Sequence, residues 1–334
     1  MIQRHHYVYS PINLSVLSEN FTLTQVYFLY TLISSYHFFV REVSPMKTLR
    51  HTDALRPPAS HQRFTHTGAE LHYWVLGPTQ APFVVLNHGV AGDHHMFDPV
   101  VDALAATYRV LLWDMPGHGQ SQTDRPFDLG WAVDGLAAIL DQMDVQQCVL
   151  IGVSVGAVVA QLFAARHKER LMGLGLLSST PLWGPRSWWQ ITQDNMLTAF
   201  LHLAPYWLIV GQAPGLLSVR SDVHPYIVRS MEAMGKQRFL AVWESILRWS
   251  KHPMPVEFPR PLLLAHGAYD QIGRIKAAAP VWKTLYPDAR YDVIPGAGHN
   301  VTQDNPNYCT TMLRAFVHKA VHSHNGWRLA RATA

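Results

Sequence analysis

Charge and cysteine are scarce in this sequence. Charged residues are 15% of the 334, and the 27 Lys and Arg are scattered rather than clustered, so a net charge of +4 does not amount to a nucleic-acid footprint. Two cysteines, Cys148 and Cys309, are too few for a disulfide framework in a chain of this length. Both read as small core hydrophobes, and the usage suits a reducing compartment. No A-x-A-like cleavage site and no strong basic region mark the N-terminus, which argues against a secretory signal peptide. No internal repeat is visible. The histidines, 20 of them, include the pairs His5-His6 and His94-His95, which lack the Cys or carboxylate spacing of a metal site. Most are expected at the surface. A hydrophobic fraction of 48% excludes a disordered chain and allows one large domain, or one domain carrying a sizeable insertion.

The one long uncharged run, residues 21–40 (FTLTQVYFLYTLISSYHFFV), is near the length needed to cross a bilayer, but Thr, Ser, Gln, Tyr and His interrupt it. Residues 1–45 have three readings: a weak membrane anchor, an extra surface element, or a non-native extension before a true start at Met46, which is preferred. The expected location is cytoplasmic, with membrane association through 21–40 as the alternative.

From about residue 62 the chain alternates strand and helix. Arg63–His66 and Glu70–Leu76 flank Thr67-Gly68, as a hairpin would. The runs Phe83–Asn87, Arg109–Trp113, Cys148–Val153, Met172–Leu177 and Pro261–His266 are apolar without alternation, and Arg290–Ile294 follows as the last strand. Unbroken apolar runs mark strands buried on both faces, hence a parallel sheet between helices and a doubly wound α/β fold. Helical patterns fall at Met96–Ala106, Trp131–Met143, Ala157–Arg166, 277–285 and 307–321. The rhythm breaks at Pro181. Residues 181–259 read as an inserted helical cap rich in Trp and Tyr, whose aromatics are expected either to line a pocket for an apolar or aromatic substrate group or simply to pack the cap onto the core. The core is then 60–180 plus 260–322, and 323–334 is expected to be a loosely ordered tail.

Gly152-Val153-Ser154-Val155-Gly156 joins an apolar strand directly to a helix. A serine on such a sharp turn stands clear of the sheet, and Gly152 and Gly156 are small where two backbones pass close together. A serine hydroxyl needs a base, and the base needs an orienting carboxylate. His299, at the tip of the glycine-rich loop after the last strand, is the candidate base. Asp270 is the only carboxylate in the loop that ends the preceding strand, and the other possible place, Ser178-Ser179-Thr180, offers none. Asp288 and Asp292 read as surface charges. The N–H of Val155, at a helix start, and that of Val90, in the loop His88-Gly89-Val90-Ala91-Gly92, are the candidate oxyanion donors. His88 and Gly89 support that loop. Asp114 and His118, within Asp114–Ser121 (DMPGHGQS), are read as holding their loop by hydrogen bonds.

Taken together, HG at 88–89, DMPGHGQS at 114–121, GVSVG at 152–156 and the loops of Asp270 and His299 resemble the α/β-hydrolase superfamily, specifically the fold-1 group, over residues 62–320. The resemblance implies a mostly parallel eight-stranded sheet with a cap inserted after the sixth strand. Ser154 argues against the branches that use aspartate at the elbow, namely haloalkane dehalogenases and most epoxide hydrolases. Asn300 stands where carbon–carbon bond hydrolases often carry an aromatic residue. Esterases, enol-lactonases and cofactor-free perhydrolases fit. The expected activity is hydrolysis of a carboxylic ester, lactone or thioester through an acyl-enzyme on Ser154, without metal or organic cofactor. The expected substrate is a small apolar or aromatic ester. Carbon–carbon bond hydrolysis, perhydrolysis and non-catalytic ligand binding remain as rivals, and the oligomeric state is open.

Overall fold

The computed structural model describes residues 59–183, 186–251 and 257–332, with side chains through 323. The expectations about residues 1–45, the run 21–40 and Met46 lie outside the described residues.

Two antiparallel strands, β1 (Ser60–His66) and β2 (Ala69–Leu76), begin the fold, turned by Thr67 and Gly68, both at positive φ. The strands β3 (Phe83–Asn87), β4 (Arg109–Trp113), the two-residue β5 (Gln122–Thr123), β6 (Cys148–Val153), β7 (Leu171–Leu177), β8 (Leu262–Gly267) and β9 (Arg290–Ile294) follow. The sheet order is β1-β2-β4-β3-β6-β7-β8-β9, with β5 paired to β2 outside that path. β2 is antiparallel to its neighbours, and every pairing from β4 across to β9 is parallel. The expected eight-stranded, mostly parallel sheet is therefore present, with the short β5 as an addition. β6, β7 and β8 are buried at every residue, as unbroken apolar strands between helices must be.

Helices cover both faces. α1 (Asp98–Ala105) and α10 (Pro306–Ala332) pack one face around Val84, Leu86, Val149, Ile151 and Leu263. α2 (Leu129–Gln142) and α3 (Val155–Arg166) pack the other around Val85, Leu111, Trp113, Leu150 and Leu174. α3 is apolar all round, and Val155 to Ala164 are all buried, so it sits centrally rather than at the surface. That position holds the start of α3 firmly against the sheet.

Between β7 and β8 the chain forms α4 (Trp188–Leu203), α5 (Tyr206–Leu217), α6 (His224–Met234) and α7 (Lys236–Trp249). α7 is anchored on the core by polar contacts: Leu129 N–H donates to Ser245 Oγ at 2.9 Å, and Asp128 accepts from Ser245, Arg248 and Trp249. The short helices α8 (Ala279–Leu285) and α9 (Val301–Asp304) complete the core.

Three expectations need correction. α10 continues to Ala332, where the sequence reading ended it at 321 with a loose tail. Leu, Arg and Ala in that stretch favour helix, and its single glycine does not stop one. The cap tryptophans were expected either to line a pocket or to pack the cap. Trp188, Trp189 and Trp207 do neither, being 75%, 52% and 63% exposed. Most of the described histidines are half-buried or exposed, as expected, while His88, His94, His118, His266 and His299 are buried, because strand ends and the loops after them are packed under other segments. Asp292, read as a surface charge, is largely covered and lies 2.6 Å from Arg290 Nη2. Both cysteines are buried, and desolvation pushes their thiols up to about 12, so they behave as apolar filler. Among the described residues no helix is long and apolar enough to cross a membrane.

Candidate active site

The residues singled out by the sequence gather at the carboxyl ends of the parallel strands, where open α/β sheets hold their ligands. Ser154 directly follows β6 and precedes α3, with φ 55° and ψ −120°. A non-glycine residue there is strained, and it persists only where the surroundings fix it. They do: Ser154 N–H donates to Leu177 O at 2.9 Å, and the first turn of α3 hangs from Ser154 O. A Cβ on Gly152 would lie 2.3 Å from Gly156 C, and one on Gly156 would lie 2.2 Å from Asn87 O. Both contacts are with backbone, so no side-chain movement relieves them. Gly156→Ala is therefore expected to cost about 3 kcal/mol or more in urea unfolding. A variant as stable as the parent would contradict this packing account.

Asn87 is a member of this junction that the sequence reading missed. Its Nδ2 donates to Gly156 O at 3.3 Å, and its Oδ1 accepts from Trp113 Nε1 at 2.7 Å. It thus joins β3, β4 and α3 behind the serine.

The loop after β3 lies against Ser154, since a Cβ on Gly89 would sit 3.3 Å from Ser154 Cβ. Val90 follows Gly89 in a turn closed by Gly92 N–H to Gly89 O at 3.1 Å, and Ala91 takes a positive φ of 54°. Val155 is the first residue of α3, where backbone N–H groups lack intrahelical acceptors. His88 lies under the loop. Its Nε2 accepts from Met115 N–H at 3.0 Å and its Nδ1–H donates to Gly89 O at 2.8 Å, a pairing that requires the neutral ring. Tyr226 of the cap fastens the far side: its hydroxyl donates to Asp93 Oδ1 at 3.0 Å and accepts from Asp93 N–H at 3.1 Å.

Asp114 and His118 belong to the neighbouring loop. Asp114 Oδ1 accepts from His94 N–H and His94 Nδ1–H at 2.8 and 2.9 Å, and Oδ2 accepts from Gln120 N–H at 2.8 Å. Burial alone would raise this carboxyl, but the His94 hydrogen bond and charge, with His88 and Gln120, hold it below the usual carboxylate range. His118 Nδ1–H donates to Pro116 O at 3.1 Å. Burial, then the neighbouring His88, pushes the His118 ring down from 6.5 to about 3. Burial also lowers His88.

These two histidines make stability depend on pH. The unfolded chain protonates His118 near 6.5, whereas the folded chain resists until about 3. Unfolding therefore takes up a proton between those values, and stability falls on acidification by about 1.4 kcal/mol per pH unit for such a group. Urea midpoints measured between pH 7 and pH 5 are expected to fall, and to fall less steeply in His118→Gln. An unchanged slope in the variant would refute the assignment.

His299 and Asp270 come together at the ends of β9 and β8. His299 Nδ1 is 3.0 Å from Asp270 Oδ2 and 3.2 Å from Oδ1, and both residues are buried. A carboxylate only accepts, so Nδ1 carries the proton and the lone pair of the neutral ring is on Nε2. Ile272 N–H donates to Asp270 Oδ1 at 2.9 Å and fixes the carboxylate. Ser178 Oγ donates to His299 O at 2.8 Å. The end of β7 therefore holds both loops, binding Ser154 through Leu177 and His299 through Ser178.

Comparison with known proteins agrees with this fold. A family model described as the alpha/beta hydrolase fold matches residues 82–208. A pimeloyl-acyl-carrier-protein methyl ester esterase of Aeromonas hydrophila is 29% identical over 255 residues, covering 71% of this chain and 96% of that protein. The family match, the relatives and the sheet together indicate the α/β-hydrolase superfamily. A 3-oxoadipate enol-lactonase of Acinetobacter baylyi is 29% identical over 122 residues, covering 36% of this chain and 46% of its own length. A thermophilic esterase from Thermogutta terrifontis superposes with a TM-score of 0.64 at 23% identity, covering 78% of this chain and 99% of that one. At that identity the likeness concerns the fold alone.

Proposed function

We propose that this chain is a serine hydrolase that cleaves a carboxylic ester, with Ser154 as nucleophile, His299 as base and Asp270 as the acid that orients it. The observation that carries the reading is the buried Asp270–His299 pair, bonded at 3.0 Å, with its loop and that of Ser154 both hung from the end of β7.

In this reading Ser154 Oγ attacks the ester carbonyl carbon while His299 Nε2 takes its proton. The carbonyl oxygen becomes an oxyanion and is received by the N–H groups of Val90 and Val155, each such donor contributing about 3 kcal/mol to lowering the barrier. The C–O bond to the alcohol breaks, and the departing oxygen collects the proton from His299. Water, deprotonated by the same imidazole, then attacks the acyl-enzyme, and Ser154 leaves with the proton. Asp270 keeps the ring in the productive tautomer and stabilises the imidazolium as it forms. The same steps open a lactone, whose alcohol simply stays tethered to the acid.

Support for an ester-cleaving role comes from the relatives named as a methyl ester esterase and an enol-lactonase. Support for an apolar acyl group comes from the cap: Leu182, Val210, Ala213, Ile227 and Met231 belong to one apolar cluster with Val155 and Val158 beside the elbow. A p-nitrophenyl ester series of rising acyl length tests this. kcat/KM is expected to rise with chain length by about tenfold per two carbons, since each buried methylene is worth about 0.8 kcal/mol. A flat profile would remove the apolar acyl site, and no turnover of any ester would remove the function.

A further inference from the structure

Asp304 has no part in the proposed chemistry, yet it is only 7% exposed and ends α9, the helix that follows His299. Its Oδ2 accepts from Gly298 N–H at 2.7 Å and from Val219 N–H at 3.3 Å, and its Oδ1 accepts from the Ser218 hydroxyl. Gly298 immediately precedes His299. Ser218 and Val219 immediately follow cap helix α5. One carboxylate therefore joins the loop that carries the candidate base to the segment that leaves the cap. A second tie runs alongside, because Asn300 N–H donates to Leu217 O at 2.8 Å, so the backbone on both sides of His299 is bound to the end of α5. Arg220 adds a longer contact from Nη1 to Gln303 O at 3.4 Å.

We propose that Asp304 is a positioning residue for His299: it clamps Gly298 to Ser218 and Val219, and so transmits the seating of the cap to the base. The inference rests on the reading of His299 as the base. Its physical content lies in the donor count. Three donors, two N–H groups and a hydroxyl, converge on one anionic acceptor in a dry setting, where charge-assisted hydrogen bonds are the strong ones. Asparagine has the same shape but only one acceptor oxygen. Its oxygen could serve both N–H groups only with its NH2 turned to Ser218 Oγ, which would then have to accept instead of donate, and the charge that strengthens all three bonds would be gone, so the Gly298–Val219 closure would loosen. The imidazole would remain bonded to Asp270, but the backbone that carries it would be less firmly held.

The test compares the intact chain with Asp304→Asn, Ser218→Ala and Ser218→Thr. Each is assayed on one p-nitrophenyl ester, with active sites counted by complete reaction with a fluorophosphonate and folding followed by melting temperature. Asp304→Asn is expected to lower kcat per titrated site by about tenfold to a hundredfold, the scale of a misplacement near 1 Å, with KM within about twofold. Ser218→Ala is expected to move kcat the same way by less, and Ser218→Thr, which keeps the hydroxyl, to restore it. A merely structural role would instead lower the melting temperature or the number of titratable sites while each remaining site turned over at full speed, and that result overturns the proposal. So does Asp304→Asn with unchanged kcat. If Asp304→Asn does not fold, the Ser218 pair decides by the same criterion. If the unaltered chain neither reacts with the phosphonate nor hydrolyses esters, the serine-hydrolase reading and this inference both fall. If it does both and Asp304→Asn matches it, only the inference falls.

Discussion

Ser154→Ala is expected to lower kcat on a p-nitrophenyl ester by about a millionfold, with the folded state intact. The size of the effect follows from the role: without the hydroxyl no acyl-enzyme forms, and the remaining rate comes only from binding and from the Val90 and Val155 donors acting on direct attack by water. Stability is expected to be unaffected or slightly raised, because the contacts that fix residue 154 are backbone ones, Ser154 N–H to Leu177 O and the first turn of α3 on Ser154 O. Circular dichroism and the urea midpoint separate the two effects. In the proposed relay Ser154 and His299 act on one proton, so His299→Ala is expected to cost about as much as Ser154→Ala, and the double variant hardly more than either. Losses that multiplied would mean the two side chains act independently, which the proposed relay does not allow.

Asp270→Asn is expected to lower kcat by about ten-thousandfold at neutral pH while KM changes little. Nδ1 of His299 now donates to a carboxylate at 3.0 and 3.2 Å, and Ile272 N–H at 2.9 Å fixes that carboxylate from behind. An asparagine whose NH2 faces Nδ1 would stabilise the tautomer with its proton on Nε2, which cannot take the proton of Ser154. It would also leave the imidazolium formed during attack without a counter-charge in a buried site, since Asp270 is only 2% exposed. Asp270→Ala, in contrast, removes the bias and admits water, and it is expected to retain more activity than Asp270→Asn. Rates of the two variants between pH 6 and pH 9 check this. An Asp270→Asn enzyme within about tenfold of the parent would move the orienting role to another residue.

Much of this arrangement is legible in the sequence because it is written in local pattern. The apolar runs Phe83–Asn87, Arg109–Trp113 and Cys148–Val153 mark buried parallel strands, and Gly152 and Gly156 mark a place where two backbones nearly touch. Asp270 and His299 could be picked out because a parallel sheet delivers the ends of consecutive strands to one edge, so a carboxylate after one strand and a histidine after the next become neighbours. What could not be read was made by contacts between distant segments. Tyr226 meets Asp93, and Ser218 meets Asp304, through the docking of the cap on the core, and nothing in the residues around either pair signals the other. Asn87 looked like a strand terminus, and only the approach of α3 turns its amide into a brace. The cap tryptophans misled for a related reason. Composition shows how much aromatic surface a segment has, but its outward or inward direction depends on how α4 and α5 lie on the core, and Trp188 and Trp207 point outward.

The relay itself is tested most directly by the site and speed of covalent labelling. A fluorophosphonate is to be reacted with the intact chain, with His299→Ala and with Ser154→Ala, followed by proteolysis and mass spectrometry of the peptides. The account expects the full adduct mass on Ser154 of the intact chain within minutes, labelling slowed by several orders of magnitude in His299→Ala, and none in Ser154→Ala. An adduct on any other residue, or equal labelling rates with and without the imidazole, would contradict it.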